Sequence, residues 1–131
     1  MNIPLYIKKY PCSCLLVLVI WVVCMIPIPE TPLDEINLID KWTHFVMYGI
    51  LTITIWWEYR RGHENARRTQ RLWIGGVVCP VVMGVLVELA QAYLTTCRSG
   101  DWFDALCNTL GVALGAGIAS LVFRIRKESV A

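Results

Sequence analysis

Ionisable side chains are scarce in this sequence, and that scarcity narrows the fold first. Charged residues make up 17% of the 131 residues, against roughly 25% in ordinary soluble domains. Pro11 to Pro29, Trp42 to Trp57 and Ala105 to Phe123 hold no ionised residue, and Leu72 to Cys97 holds only Glu88. Runs this long and apolar exclude a water-soluble domain, which would aggregate. A net charge of +2 gives no footing for a nucleic-acid partner, and none is expected. The six cysteines (Cys12, Cys14, Cys24, Cys79, Cys97, Cys107) lack zinc-finger spacing and the density of a disulfide scaffold, so reduced thiols are the default, with a Cys97–Cys107 bridge a minor alternative. No small residue stands where a lipoprotein signal needs one before Cys24, and no Ala-x-Ala follows, so the first apolar run is read as a retained anchor. Internal repeats and low-complexity segments are missing.

What is present is hydrophobic: 56% of residues, with a mean hydropathy of +0.55. A hydrocarbon core of about 30 Å takes about 20 helical residues. The chain therefore reads as a single membrane domain over residues 1–131 with spans near 11–28, 41–59, 72–95 and 103–123. Lipid offers no partners to backbone amides, and four such runs cannot close a barrel, so the expected fold is all-α, a four-helix transmembrane bundle. Ten of the twelve basic residues flank the runs on one side: Lys8, Lys9, Arg60, Arg61, Arg67, Arg68, Arg71, Arg124, Arg126 and Lys127. Glu30, Asp34, Glu35, Asp40, Asp101 and Asp104 fall on the other, with only Lys41 and Arg98. By the positive-inside rule both termini are cytoplasmic. Pro27, Pro29 and Pro32 predict an extended path after the first span.

Three spans carry polar stripes. At 100° per residue, Lys41, His44, Tyr48 and Thr52 share one face, Gly84, Glu88, Gln91 and Thr95 a second, and Asp101, Asp104, Asn108, Gly111 and Gly115 a third. At about 1.5 Å rise per residue their polar groups fall at similar depths in the outer half of the membrane. A carboxylate in a span is costly and usually faces a bundle interior or wet cavity, so an outward-opening cavity is expected, with Glu88 accepting hydrogen bonds from Lys41, His44 or Gln91.

In this order, Asp40-Lys41-x-x-His44-Phe45-x-x-Tyr48, Glu88-x-x-Gln91, then Arg98, Asp101, Asp104 and Asn108-x-x-Gly111-x-x-x-Gly115 resemble the VanZ-like membrane protein family, over roughly Asp40 to Val122. The first span matches only in place and length. The resemblance implies a bacterial cell-envelope protein in the cytoplasmic (inner) membrane, in a family named for low-level resistance to the glycopeptide teicoplanin and without a settled reaction.

The expected ligand-binding set is Lys41, His44, Tyr48, Glu88, Gln91, Arg98, Asp101, Asp104 and Asn108. Each residue also has a structural reading: interhelical bonds for His44, Tyr48 and Asn108, bracing of Glu88 for Gln91, helix capping for Asp101 and Asp104, lipid-phosphate anchoring for Arg98 and Lys41. Gly84, Gly111 and Gly115 are read as close-packing sites and the tryptophans as interfacial anchors. Three functions remain open. The first binds or modifies an outer-leaflet lipid, a lipid-linked wall precursor or a lipidated glycopeptide, lowering drug susceptibility. A hydrolase or transferase would use Glu88 or Asp104 as base and His44 as acid or base, with Lys41 or Arg98 steadying phosphate charge. The third is a small proton-coupled exporter. No cofactor or metal is expected, a divalent cation on His44, Glu88, Asp101 and Asp104 being a minor alternative. The oligomeric state stays open.

Overall fold

The computed structural model describes residues 3–27, 37–62, 69–96 and 100–130. Arg67, Arg68, Cys97, Arg98 and the segment holding Pro29 and Pro32 lie outside them. Every element among the described residues is helical: α1 (Ile3–Lys9), α2 (Pro11–Met25), α3 (Asn37–Arg61), α4 (Thr69–Trp73), a π-helical turn (Ile74–Val78), α5 (Cys79–Leu94) and α6 (Trp102–Val130).

Two helical runs, Gln70–Leu94 and Trp102–Arg124, are long and apolar enough to cross a membrane. Only a third of each apolar window is buried inside the protein, whereas a soluble core helix is mostly covered. Leu86, Leu89, Leu110, Leu114, Ile118 and Leu121 all lie exposed, and apolar surface of this extent calls for a cover other than water. The expected four spans are thus met in part. Helix α2 has 15 residues, short of the usual 17 to 25, roughly, because Pro27 turns Ile26 into extended backbone (φ −74°, ψ 134°). Helix α3 has the length, at 25 residues, but Asp40, Lys41, Glu58, Arg60 and Arg61 at its ends shorten its charge-free stretch to Trp42–Trp57.

Helix α2 is fastened at both ends by side chains from other helices. Pro11 opens it, suiting a first turn whose N–H groups have no intrahelical partner. Glu58 of α3, 6% exposed, accepts hydrogen bonds from the Cys12 amide (2.8 Å), the Ser13 amide (3.0 Å) and the Ser13 hydroxyl (2.6 Å). A carboxylate suits the positive end of a helix. At the other end the Gln91 amide nitrogen of α5 donates to the Cys24 carbonyl at 2.9 Å.

The most extensive helix contact is between α3 and α6, and glycine permits it. A Cβ on Gly115 would stand 2.6 Å from the Gly49 carbonyl oxygen, and one on Gly111 would run into the Phe45 carbonyl. Around this seam pack Ile20, Cys24, Tyr48, Leu51, Val87 and Val112; nearer the α3 C-terminus lie Trp56, Leu72, Ala116 and Ala119. Before Pro80, the π-helical turn shifts the carbonyls that a proline ring crowds in a regular helix. Gly76 within it receives the Trp56 indole face.

Candidate functional site

At one end of the bundle the N-termini of α3 and α6 meet the C-terminus of α5, and their polar stripes converge. Asp101 begins the assembly. Its Oδ1 accepts the Phe103 amide at 2.9 Å and its carbonyl accepts the Asp104 amide at 3.1 Å, so it caps α6. Its Oδ2 receives Lys41 Nζ at 3.2 Å. The Phe103 amide, aided by Lys41, holds the Asp101 carboxyl below the usual carboxylate range. Lys41 also stands 3.6 Å from Asp104.

Beneath this rim lies a closed floor. His44 and Asn108 are 1% exposed, Asp104 5% and Glu88 7%. His44 Nδ1 is 3.0 Å from Asn108 Oδ1 and 3.7 Å from Glu88 Oε1. The Asn108 amide nitrogen donates to Glu88 at 3.5 Å, and the Asp101 amide donates to the other Glu88 oxygen at 3.2 Å. With the amide group of Asn108 turned to Glu88 and its oxygen to His44, the proton of the neutral imidazole belongs on Nδ1. Nε2 then faces Asp40 Oδ1 at 3.9 Å, one turn back on α3. Asp40, His44 and Asp104 bring one donor atom each within 4.8 Å of one another.

Of the expected set, the structure gathers Lys41, His44, Glu88, Asp101, Asp104 and Asn108. Tyr48 is fully buried in the apolar core, and its hydroxyl has no hydrogen-bond partner among the described residues. Gln91 reaches α2 rather than Glu88, and Lys41 pairs with aspartates rather than Glu88. Arg98 lies outside the described residues. Instead of opening around Glu88, the floor is sealed; a cavity of about 500 Å³ sits at the opposite end, lined by Tyr6, Lys9, Ser13, Tyr59, Arg71 and Gly76. Two contributors were missed. Asp40 was visible at i, i+4 from His44. Gly100 was not: a Cβ there would run into the Glu88 carbonyl and stand 3.0 Å from Ala92, a tertiary contact without local signal.

Around the mouth, Trp42, Trp102 and Phe103 are 61%, 79% and 64% exposed. Four carboxylates (Asp40, Glu88, Asp101, Asp104) face one ammonium and one imidazole, so the described site is acidic. Chemically it holds hydrogen-bond donors and cations, and Glu88, His44 and Asp104 are groups able to exchange protons.

No solved structure matches the chain. An uncharacterized protein of the fission yeast Schizosaccharomyces pombe is 33% identical over 91 residues, 70% of this chain. The chain spans about half of that relative's length, 52%. The VanZ/LLP1 family pattern matches residues 12–124, taking in α2 as well as the polar stripes, and the chain belongs to that family.

Proposed function

We propose that the protein is a four-span membrane protein, a single domain with both termini cytoplasmic, whose outward-facing polar site binds a membrane-lipid headgroup. The observation that carries this reading is the convergence of six polar side chains from three helices on one end of an otherwise apolar bundle. Isolated structural hydrogen bonds do not need such company; burying polar groups together is costly unless they are paired or put to use. The exposed ring of Trp42, Trp102 and Phe103 supports a mouth at headgroup depth, where aromatic side chains prefer to lie. Lys41, Asp40 and Asp101 form the accessible rim, and the sealed floor holds their orientation.

A headgroup fits better than a wall precursor. Headgroups surround every membrane protein, and the exposed aromatic ring lies where headgroups lie, so this reading needs no particular wall chemistry. In a bacterial cytoplasmic membrane the same binding, extended to a lipid-linked precursor or lipidated glycopeptide, would lower teicoplanin susceptibility. Hydrolysis or group transfer through Glu88, His44 and Asp104 is the second reading, favoured by the 3.0–3.7 Å contacts that join His44, Asn108 and Glu88.

Lipid retention separates these readings. Purified wild-type protein is expected to retain a phospholipid class that Lys41→Gln and Asp101→Asn proteins, matched for abundance and helicity, lose. Folded wild-type protein retaining no lipid above an unrelated four-helix control sinks the binding reading. Retained lipid that is converted to product by wild type but not by Glu88→Gln protein selects the enzyme instead.

A further inference from the structure

The floor of the site contains an electrostatic arrangement that its hydrogen bonds do not resolve. Asp104 is 5% exposed, and its Oδ1 accepts no hydrogen bond among the described residues. Lys41 Nζ forms an ion pair with that oxygen at 3.6 Å, longer than a hydrogen bond, and divides its charge with Asp101. With the His44 proton on Nδ1, the Nε2 lone pair is turned toward a carboxylate, Asp40 Oδ1, 3.9 Å away. Two carboxylates and an imidazole gathered in a largely desolvated place leave room for a second positive charge beside the one ammonium that Asp101 and Asp104 share.

We propose that Asp40, His44 and Asp104 bind a divalent first-row cation, of the Zn²⁺ or Mn²⁺ type. Bonds of about 2.0–2.2 Å from nitrogen and oxygen donors set ligands about 3–4 Å apart around such an ion. The 3.9 Å between His44 and Asp40 lies in that range. The widest separation in the trio, within 4.8 Å, closes with side-chain movement of under about 1 Å. One imidazole and two carboxylates suit a borderline or hard ion rather than a soft one such as Cu⁺. The support around His44 is also what a ligating histidine requires: its other ring nitrogen lies 3.0 Å from Asn108 Oδ1, an acceptor that suits the Nδ1–H tautomer and steadies the ring plane, and Asn108 in turn donates to Glu88. Three protein donors leave coordination positions for an exogenous oxygen ligand. Asp40, with its side chain 44% exposed, is the donor nearest the rim, so the ion is reachable from the mouth.

This differs from the set expected from sequence in using Asp40 and leaving Glu88 and Asp101 to supporting bonds. It stands independently of lipid binding, since it rests on donor atoms alone. It also supplies the positive charge that an acidic site needs in order to meet a lipid phosphate.

The test uses full-length protein in detergent, stripped with chelator and titrated with Zn²⁺ and Mn²⁺ by calorimetry, with elemental analysis after gel filtration. Wild type is expected to bind one equivalent. Asp40→Asn, His44→Gln and Asp104→Asn are each expected to weaken binding at least tenfold, while Cys107→Ser, which removes the neighbouring thiol, leaves it unchanged. Asp40 is half out in solvent, so that variant stays folded even where substitutions at the buried pair do not. Wild-type protein that is helical yet binds neither ion overturns the proposal, as does binding that Asp40→Asn leaves intact. Lipid retention measured on protein never exposed to chelator reports separately on the headgroup reading.

Discussion

Asp101 shows how much one side chain at a helix start can do. Its carboxylate caps α6 through the Phe103 amide, pairs with Lys41, and its own amide braces Glu88. Because the Phe103 amide and then Lys41 stabilise the ionised form, the carboxyl titrates below its ordinary value of 3.8 in the folded protein. A group depressed in this way adds stability above its unfolded pKa, and that stability is lost as pH falls through the folded pKa. Asp101→Asn keeps a competent cap but removes the charge. Wild type is therefore expected to outlast the variant in thermal unfolding at about pH 6 and to lose that advantage as the pH falls past the ordinary value of 3.8 and through the lower folded one. A constant difference across that range refutes the ionic contribution. The same residue marks what sequence legibly offers. Its i, i+3 and i+7 relation to Asp104 and Asn108 gave the shared face, and spacing likewise assigned Lys41, His44 and Glu88 to one layer. Pairing was another matter. That Gln91 serves α2, and that Asn108 stands between His44 and Glu88, depends on how helices rotate against one another, which a stripe does not specify.

At the scale of the helices, close approach was readable and fastening was not. Small residues at Gly111 and Gly115 predicted a tight seam, and both meet α3 backbone at Phe45 and Gly49. By contrast, Glu58, which falls near the end of the span expected over 41–59 and drew no reading of its own, ties the first turn of α2 from far along the chain. Nothing in the sequence near Ser13 announces a carboxylate on another helix. The seam gives a sharp mutational contrast. At Gly115 a methyl group meets backbone, which has no rotamer with which to yield, so Gly115→Ala is expected to destabilise by about 1–3 kcal/mol. Gly117, two residues on, has open space where its Cβ would lie. Gly117→Ala is expected to be neutral or to gain up to about 1 kcal/mol from helix propensity. Unfolding of both variants in the same detergent checks the pair; equal effects at the two positions refute the seam as the cause.

On the scale of the whole molecule, charge and length agree about how the bundle lies. Arg60 stacks over Phe123, and Lys9 lies beside the position of Gly62, so the ends of α1, α3 and α6 share a basic pole. Asp40, Asp101 and Asp104 occupy the other pole. From Asp104 to Arg124 along α6, and from Lys41 to Arg60 along α3, the distance is about 30 Å at 1.5 Å per residue, equal to the hydrocarbon thickness of about 30 Å. Helix α3 thus has the length to span, although its terminal charges keep it from standing out by composition. Helix α2 reaches only about 22 Å, and in the proposed topology the extended Ile26–Pro27 step would make up the difference. In the proposed topology, with basic residues retained on the cytoplasmic side, the acidic pole faces outward. A fluorescent protein that matures only in the cytosol is expected to light up when fused at either terminus, and alkaline phosphatase to be active only when inserted near Gly100. The opposite pattern reverses the bundle and puts the Asp40–His44–Asp104 trio on the cytoplasmic face. Its donors would then be unchanged, but a headgroup partner would have to come from the inner leaflet.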